Sequence, residues 1–503
     1  MEKIAIIDLG SNSARVVIAK VLDGGHYVVI DELKETVRLS QDMERDGYIK
    51  TQRIEETVKT LKIFKKLCSA HNTNNIIAVA TAAVRRAKNQ KSFLEEVSAT
   101  VGIKFRVLSA DEESQAVYNG VVNSMDIHKG LIMEIGGGST KIIYYNRRSI
   151  LNFETLPFGA VTLNEIFSKE NLKPEETAKK VEDFFTEQLK NIAWLKTVEP
   201  DTQFIGVGGS FRNLCKIAKL VKRYPLDMVH NYQMSVDDFS NIYNMIKVLD
   251  IDKKKKIKGI SSGRADILPL AAAAITSLLN YVGVKTITVC GCGLREGLLN
   301  YTLIPSTREK PISDVLSFGL STIAKNYELN IERTQRVVDL AVQLFKQLRV
   351  LHKFPRLYLR VLKVAANLYS IGARVKSYNM ARHSAYMILN SNLYGISHRE
   401  LVLAAFSVAS SKEEISINEL LPYKDLLTEE DVEALKKLGC ILRLADNLDR
   451  SWTGCVSDVN CDVLGDSVIM KCILKSDASL EMKEATKTAY EFKKAFRKNL
   501  EII

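Results

Sequence analysis

Short apolar runs alternate with longer helical patterns over the first 125 residues. The stretch IIDLGSNSARVVIAK, residues 6–20, joins two β-branched runs through a Gly/Ser/Asn turn, which is typical of a strand hairpin. QRIEETVKTLKIFKKLCSAH has the periodicity of a helix, and NIIAVAT that of a further strand. We therefore predict an α/β domain over residues 1–125.

The same scheme restarts near residue 126. GLIMEIGGGSTKIIYYN is again strand, glycine-rich turn and strand, and FIGVGGSFRNL and TITVCGCGLREGLL follow it. These runs predict a second α/β domain over residues 126–305, in which LPLAAAAITSLLNYVGV is a buried helix too short to span a bilayer comfortably. YTLIPSTREKP is the predicted linker, and residues 306–503 are predicted to be an all-helical domain with one strand-like stretch, SVIMKCILK.

The two hairpins have one layout. An acid, Asp8 or Glu134, ends the first strand, and an apolar residue, a glycine-rich turn with hydroxyl side chains and a second strand follow. One such turn is an ordinary hairpin, but two at the start of consecutive α/β domains indicate a duplicated unit. If the domains face each other, both turns approach one ligand, with an acid from each beside it.

Composition and charge narrow the classes of partner. The 503 residues are 46% hydrophobic and 26% charged, as in a globular protein of several domains, and the net charge of +12 favours anionic partners. The chain starts directly with a strand-like run and no apolar leader, so we expect a cytoplasmic protein. The eight cysteines are scattered, which favours free thiols, and CGC at 290–292 lacks zinc-finger spacing.

The glycine-rich turns carry the candidate chemistry. Their backbone N–H groups, with adjacent Ser and Asn side chains, can surround a phosphate, and GVGGS at 206–210 adds a third turn that leads into a helix. Together the three turns favour a phosphate site over ordinary hairpins. Acids at the strand ends are suited to bind a Mg²⁺ that bridges to the phosphate.

Two further features allow either a functional or a structural interpretation. Ser109 and Glu112 have capping-box spacing at a helix start, which leaves Glu113 in the first turn, where spacing alone favours a role in complementing the helix dipole. Arg85 and Arg86 end a predicted strand, where they either grip phosphate or are solvated. The lysine run at 253–256 is an exposed face or a guide for a polyanion.

Taken together, the motifs resemble those of the exopolyphosphatase and guanosine pentaphosphate (pppGpp) phosphohydrolase family over nearly the whole chain. The resemblance is carried by DLGSNS (8–13), ATAAVRR (80–86), LSADEESQAVYNGV (108–121), IGGGST (135–140), LPFGAVTLNE (156–165), GVGGS (206–210), GRADILP (263–269) and GLREGLL (293–299). It implies two duplicated actin-like (ribonuclease H-like) domains, a helical third domain, and hydrolysis at the end of a phosphate chain held between the first two domains.

The resemblance also implies roles for single residues. Glu113 matches the family's general base, which replaces the dipole interpretation, Asp8 and Glu134 match acids near Mg²⁺, and Arg264 matches a cleft arginine. The positions that match phosphate-contacting loops are Ser11, Asn12, Ser13, Arg85, Gly137, Gly138, Ser139, Gly208, Gly209 and Ser210. Positioning, charge neutralisation and one base suffice for such a reaction.

The chain departs from the family pattern in both parts. Glu134 stands where Asp is usual, and Lys141 stands where an acid usually follows GGGST, so we predict a weaker or altered Mg²⁺ requirement. The third domain resembles a His-Asp metal phosphohydrolase domain, but Tyr369-Ser370 replaces the His-Asp pair, and His383 with Asp446 leaves too few ligands for two metals. We expect that domain to pack and to widen a substrate channel.

The predicted function is an exopolyphosphatase that releases orthophosphate from inorganic polyphosphate. The alternative is a guanosine pentaphosphate 5′-phosphohydrolase of the stringent response, and a non-catalytic polyphosphate or alarmone sensor is a third hypothesis. A nucleotide-dependent kinase of the same fold is disfavoured because no sugar-binding pattern accompanies Glu113. We expect a homodimer, with neither nucleic acid nor membrane as a partner.

Overall fold

The protein separates into two compact units. The computed structural model describes residues 2–170, 172–199 and 201–503. One unit contains the chain up to Arg223 together with Val229–Val315, and the other contains Tyr224–Met228 and Leu316–Ile503. The predicted domain limits at residues 125 and 305 stay a prediction.

The first lobe of the first unit is built on a five-stranded sheet in the order β3-β2-β1-β4-β5. β1 pairs antiparallel with β2, and β2 with β3, whereas β1 and β4 run parallel. Its apolar strands pack against helices, burying residues such as Ile7, Val16 and Phe64. The elements are β1 (Lys3–Leu9), β2 (Ala14–Val21), β3 (Tyr27–Glu35), α1 (Thr51–Ala70), β4 (Asn75–Ala80), α2 (Ala82–Arg86), α3 (Gln90–Val101), β5 (Arg106–Val107) and α4 (Ala110–Val122).

The second lobe repeats this plan on a six-stranded sheet in the order β10-β11-β9-β6-β7-β8. Three antiparallel strands, β6 to β8, are followed by the parallel strands β9 and β11. The duplicated α/β fold is thereby confirmed. The elements are β6 (Lys129–Ile135), β7 (Thr140–Asn146), β8 (Ser149–Leu156), α5 (Ala160–Phe167), α6 (Pro174–Lys190), β9 (Gln203–Val207), α7 (Gly209–Val221), β10 (Tyr232–Ser235), α8 (Val236–Lys247), α9 (Ile251–Lys255), α10 (Leu268–Val282), β11 (Thr286–Cys290) and α11 (Leu294–Leu303).

Strand register places a cation opposite each of the two predicted acids. Asp8 on β1 is the cross-strand partner of Arg15 on β2, and Glu134 on β6 is the partner of Lys141 on β7. Directly opposed side chains lie on the same face of a sheet. Each hairpin therefore places an acidic side chain on its first strand beside a basic side chain on its second strand, close to the turn.

Helices α4 and α11 cross in backbone contact. A Cβ on Gly120 of α4 would lie 2.2 Å from the carbonyl oxygen of Gly293, and one on Gly297 of α11 would lie 1.8 Å from that of Ala116. Such distances exclude any side chain at either glycine. Because α4 carries Glu113 and α11 carries Arg295, this crossing fixes both side chains relative to each other.

The second unit is mainly helical and contains a small sheet. β12 pairs antiparallel with β13, which pairs in parallel with β14, whereas the sequence predicts only one strand-like stretch there. Leu226 and Tyr224 belong to this unit, and the Tyr224 hydroxyl lies 2.7 Å from His398 Nδ1. The elements are α12 (Val315–Asn326), α13 (Ile331–Gln347), α14 (Arg349–His352), α15 (Arg356–Leu368), α16 (Met380–Leu389), α17 (His398–Ser410), α18 (Ile417–Leu420), α19 (Glu429–Asn447), β12 (Val456–Leu464), β13 (Ser467–Leu474), α20 (Ser479–Thr486), α21 (Ala489–Phe496) and β14 (Asn499–Ile502).

Three smaller predictions can be compared with the structure. All eight cysteines are free, as expected. The capping box at α4 is confirmed, because Ser109 Oγ accepts from the Glu112 N–H at 3.1 Å while Glu112 accepts from the Ser109 N–H at 2.9 Å. Within the described residues, no helix combines the length and apolar character needed to cross a membrane.

Candidate active site

The three glycine-rich turns line one cavity of about 400 Å³ in the first unit. The two hairpin turns touch: a Cβ on Gly137 would lie 2.9 Å from the Asn12 nitrogen, and one on Gly138 would lie 2.6 Å from Ser11 Oγ. Glycine is required at both positions because the opposing turn leaves no space for a side chain. The turns therefore face one cavity from opposite lobes; that both contact one ligand stays a prediction.

The third turn forms another wall of the cavity. Gly208 has φ +97°, a backbone conformation that favours glycine, and α7 begins at the next residue. A Cβ on Gly209 would lie 2.3 Å from the guanidinium carbon of Arg264, which packs directly over this turn. The cavity thus combines the N-terminus of a helix with a guanidinium, and both attract an anion.

Several buried polar atoms around the cavity lack a partner. Both side-chain polar atoms of Asn12 are buried without a hydrogen bond, as are Nε of Arg264 and Nε of Arg295. All three side chains line the cavity. Buried polar groups in folded proteins are nearly always paired, so the unpaired N–H groups of Asn12, Arg264 and Arg295 indicate a place for a ligand with acceptor oxygens.

Glu113 lies at the wall of the cavity between two cations. It is buried, and its Oε1 accepts from Lys141 Nζ at 2.6 Å while its Oε2 accepts from Arg85 at 3.0 Å. Each carboxylate oxygen has two lone pairs, so both oxygens can still accept a proton or a hydrogen bond from water. The two cations fix the orientation of the carboxylate, so Glu113 has side-chain partners in addition to the helix dipole.

Lys141 bridges the carboxylate of Glu113 and that of Glu134, one of the two acids predicted to lie near Mg²⁺. Its side chain is 1% exposed, and its Nζ donates to Glu134 Oε2 at 2.7 Å as well as to Glu113. Burial alone would lower the pKa of Lys141, but the two carboxylates outweigh burial and raise the pKa above its ordinary value. The raised pKa makes Lys141 an ammonium at neutral pH, held between Glu113 and Glu134.

The carboxylates do not fit a resident Mg²⁺. Of the four lining carboxylates, Glu113 and Glu134 share the Lys141 ammonium. Asp8 Oδ2 accepts from Arg295 at 3.0 Å, and Glu32 lies 3.4 Å from Arg15. Burial, opposed by the Arg295 guanidinium, raises the pKa of Asp8 above its ordinary value. A Mg²⁺ requires several free oxygen ligands in octahedral arrangement, whereas here basic side chains already neutralise the acids.

A row of charges continues across the first sheet. Asp8, Arg15 and Lys34 are successive cross-strand partners on β1, β2 and β3, so two cations lie directly opposite each other. Burial and the neighbouring arginines lower the pKa of Arg15 to about 10 and that of Lys34 to about 8. Opposed like charges destabilise a sheet, and a bound polyanion would relieve their repulsion.

Most of the predicted site residues line this cavity. Those that do are Asp8, Ser11, Asn12, Ser13, Glu113, Glu134, Gly137, Gly138, Ser139, Gly208, Gly209 and Arg264.

Two predicted phosphate-contacting residues lie outside the lining. Arg85 is on the short helix α2 instead of a strand end, and its Nη1 donates to Glu113 and to the Leu108 carbonyl, so it orients Glu113 from behind. Ser210 is fully buried beneath Arg264, whose Nη1 donates to Ser210 Oγ at 3.4 Å. Both support residues that line the cavity.

Sequence reasoning missed five cations and one acid of the lining: Arg15, Glu32, Lys34, Arg212, Lys216 and Arg295. Some carried a signal. Arg15 follows Asp8 by the spacing that separates Lys141 from Glu134, and Arg212 and Lys216 are four residues apart on one face of α7. Lys34 gave no such signal, because only the pairing of β3 with β2 brings it to the site.

Comparison with known proteins agrees with this geometry. The Ppx/GppA phosphatase family model matches residues 17–305, and the model of Ppx/GppA phosphatase domain III matches residues 318–488. The chain belongs to the Ppx/GppA phosphatase family. Members of this family are phosphoanhydride hydrolases, so this protein is an enzyme of that class.

Individual relatives of this phosphatase support the assignment. A guanosine-5′-triphosphate,3′-diphosphate pyrophosphatase of Aeromonas hydrophila is 24% identical over 425 residues, which cover 83% of this chain and 82% of the relative. The crystal structure of an exopolyphosphatase from Cytophaga hutchinsonii is similar with a TM-score of 0.57 and 26% identity, over 60% of this chain and 98% of that one. A family member from Aquifex aeolicus gives 0.52 and 28%, over 61% and 98%.

The low pKa of Lys34 predicts a pH-dependent affinity. As pH rises through about 8, Lys34 loses its proton and the cavity loses one positive charge. The Michaelis constant for a polyanionic substrate should therefore rise about threefold to tenfold between roughly pH 7 and pH 9.5, as expected for loss of one charge-assisted hydrogen bond. Steady-state phosphate release at a series of pH values measures it.

Two variants test whether Lys34 causes this pH dependence of the Michaelis constant. Lys34→Met should show the weaker affinity at every pH, whereas Lys34→Arg, which keeps its charge throughout, should show the strong affinity at every pH. An unchanged pH dependence of the Michaelis constant in Lys34→Met would contradict the assignment.

Proposed function

We propose that this phosphatase removes the terminal phosphate of inorganic polyphosphate. The observation that carries the proposal is the lining of the cavity. Seven basic side chains outnumber four acidic ones, and none of the described lining residues is aromatic. A repeating polyanion is suited to such a surface, whereas a guanine base would find no ring on which to stack. The basic residues are Arg15, Lys34, Lys141, Arg212, Lys216, Arg264 and Arg295.

In this proposal the terminal phosphate lies between the three glycine-rich turns. Glu113 accepts a proton from water as the water oxygen bonds to the terminal phosphorus, and the bond from phosphorus to the bridging oxygen breaks. The electron pair stays on that oxygen, which becomes the new chain end. The lining cations neutralise the charge on both products, orthophosphate and the shortened chain.

Lys141 supplies part of the charge neutralisation in this proposal. Its ammonium is fixed between Glu113 and Glu134, and therefore lies beside the position assigned to the attacked phosphate. We propose that the dependence on free Mg²⁺ is correspondingly weak. Magnesium that arrives bound to the substrate is compatible with this arrangement, because it needs no dedicated protein ligands.

Hydrolysis of guanosine pentaphosphate is the second candidate. Its support is the Aeromonas hydrophila pyrophosphatase, whose similarity extends over 83% of this chain and includes the second unit.

The predicted homodimer also stays a prediction, which analytical ultracentrifugation can check.

Phosphate release from the two pure substrates decides between the candidates. We expect kcat/KM for long-chain polyphosphate to exceed that for guanosine pentaphosphate by about tenfold or more, because a longer anion meets more of the lining cations. The opposite order would overturn the proposed substrate and leave the assignment as a phosphoanhydride hydrolase intact.

Replacing the proposed base separates a hydrolase from a sensor. Glu113→Gln keeps the shape of the side chain and should lower kcat by about 10² to 10⁴, the usual contribution of a general base, while polyphosphate still binds. The neighbouring Glu112→Gln is the matched control, because Glu112 caps α4 and lies outside the cavity lining. Unchanged turnover in Glu113→Gln would remove Glu113 from the reaction.

Replacing the ammonium tests the metal dependence. Lys141→Glu places a third carboxylate beside Glu113 and Glu134, so Mg²⁺ should raise the thermal midpoint of this variant more than that of the natural protein. Its activity should also need more Mg²⁺ to reach the optimum. Identical Mg²⁺ optima for the two proteins would refute the role given to Lys141.

A further inference from the structure

A second basic cavity lies within the second unit. It has a volume of about 770 Å³, and six basic side chains outnumber three carboxylates in its lining, an excess of three positive charges. This is the part of the chain where a His-Asp metal pair would lie by resemblance, but Tyr369-Ser370 occupies those positions.

The one deeply buried carboxylate of this cavity is covered by cations. Asp446 accepts from Arg333 at 2.8 Å through one oxygen and from Lys412 at 2.9 Å through the other. Within the described residues, no group of three or more His, Cys, Asp or Glu side chains is placed to hold a metal. Since two cations surround one acid, the charge of the cavity is suited to an anion.

Arg333 lies against two aromatic rings and has one hydrogen-bond donor without a partner. Its guanidinium carbon lies 4.2 Å from the ring centre of Trp452 and 5.5 Å from that of Tyr369, and its buried Nε has no hydrogen-bond partner. Arg333 is itself more than nine-tenths buried and lines the cavity. A buried donor without an acceptor indicates space for a ligand oxygen.

Trp452 is held at the cavity in a strained conformation. The residue is 53% exposed, and its backbone has φ +68°, which is rare for a bulky residue. Arg336 donates to the Trp452 carbonyl at 2.7 Å and through Nε to both oxygens of the buried Asp449 at 3.1 Å, which fixes this loop. Strain maintained by surrounding contacts is concentrated at ligand sites.

We propose that this cavity binds a nucleoside diphosphate. The phosphates would contact Arg333, Lys412 and Arg450, and the base would stack on the exposed indole of Trp452. The negative charge of a diphosphate matches the excess of positive charge in the lining. The aromatic ring of Trp452 distinguishes this cavity from the one in the first unit. Inorganic pyrophosphate has the same phosphate chemistry but no base to stack on Trp452, so binding experiments can distinguish it from a nucleoside diphosphate. The proposal is independent of the substrate proposed for the first unit.

Fluorescence of the full-length protein tests the proposal. Trp194 and Trp452 are the two tryptophans of the chain, and Trp194 stacks on Tyr144 in the first unit, so Trp194→Phe leaves Trp452 as the reporter. We expect GDP to change Trp452 emission saturably. Inorganic pyrophosphate should bind at least about tenfold more weakly, because it forms no stacking contact.

Variants that remove positive charge test whether GDP binds in this cavity. The pair Arg450→Gln with Lys412→Gln should weaken GDP binding about tenfold or more, through loss of two charge-assisted contacts. The pair Arg356→Gln with Lys424→Gln removes the same charge from exposed positions outside the lining and should leave binding unchanged.

Three results would overturn the proposal: no GDP-dependent change in Trp452 emission at millimolar concentrations, equal affinity for inorganic pyrophosphate, or equal effects of the two charge pairs. Polyphosphate hydrolysis, measured on the same samples, reports on the first unit separately.

Discussion

The site in the first unit depends on one buried ammonium. Lys141 Nζ lies 2.6 Å from Glu113 and 2.7 Å from Glu134, and neither carboxylate has another cation as deeply buried beside it. Breaking such a buried pair commonly costs about 3–5 kcal/mol, because the remaining charge has neither partner nor water. The same ammonium thus pairs with both carboxylates, fixes the orientation of the proposed base, and adds positive charge where phosphate would bind.

The local parts of this arrangement could be predicted from the sequence. Hairpins, turns and the capping box depend on neighbouring residues, and the repeated layout at Asp8 and Glu134 predicted that the two turns face each other. The environment of Glu113 could not be predicted in this way. Its partners Arg85 and Lys141 are each 28 residues away. Arg85 reaches it through the fold of the first lobe, and Lys141 only when the second lobe is folded as well. Spacing alone accordingly favoured the helix dipole, and the family resemblance was needed to indicate a base.

Both units place basic side chains where the family resemblance implies metal ions. In the first unit Lys141 and Arg295 neutralise the acids, and in the second Arg333 and Lys412 cover Asp446. In both units the buried carboxylate is satisfied by cations, and the excess of positive charge in each lining favours an anion over a second cation. Strand β13 coincides with the predicted stretch SVIMKCILK, whereas β12, β14 and the Trp452 loop were missed. These depend on pairing and on contacts with α13 that no local pattern reveals.

The central claim is that the Lys141 ammonium occupies the centre of the first site in place of a resident metal. A crystal structure with Mg²⁺ and a non-hydrolysable oligophosphate tests this most directly. We expect Nζ in hydrogen-bond contact with Glu113, Glu134 and an oxygen of the terminal phosphate. A Mg²⁺ coordinated by Asp8 and Glu134, with the Lys141 side chain displaced from both glutamates, would contradict it.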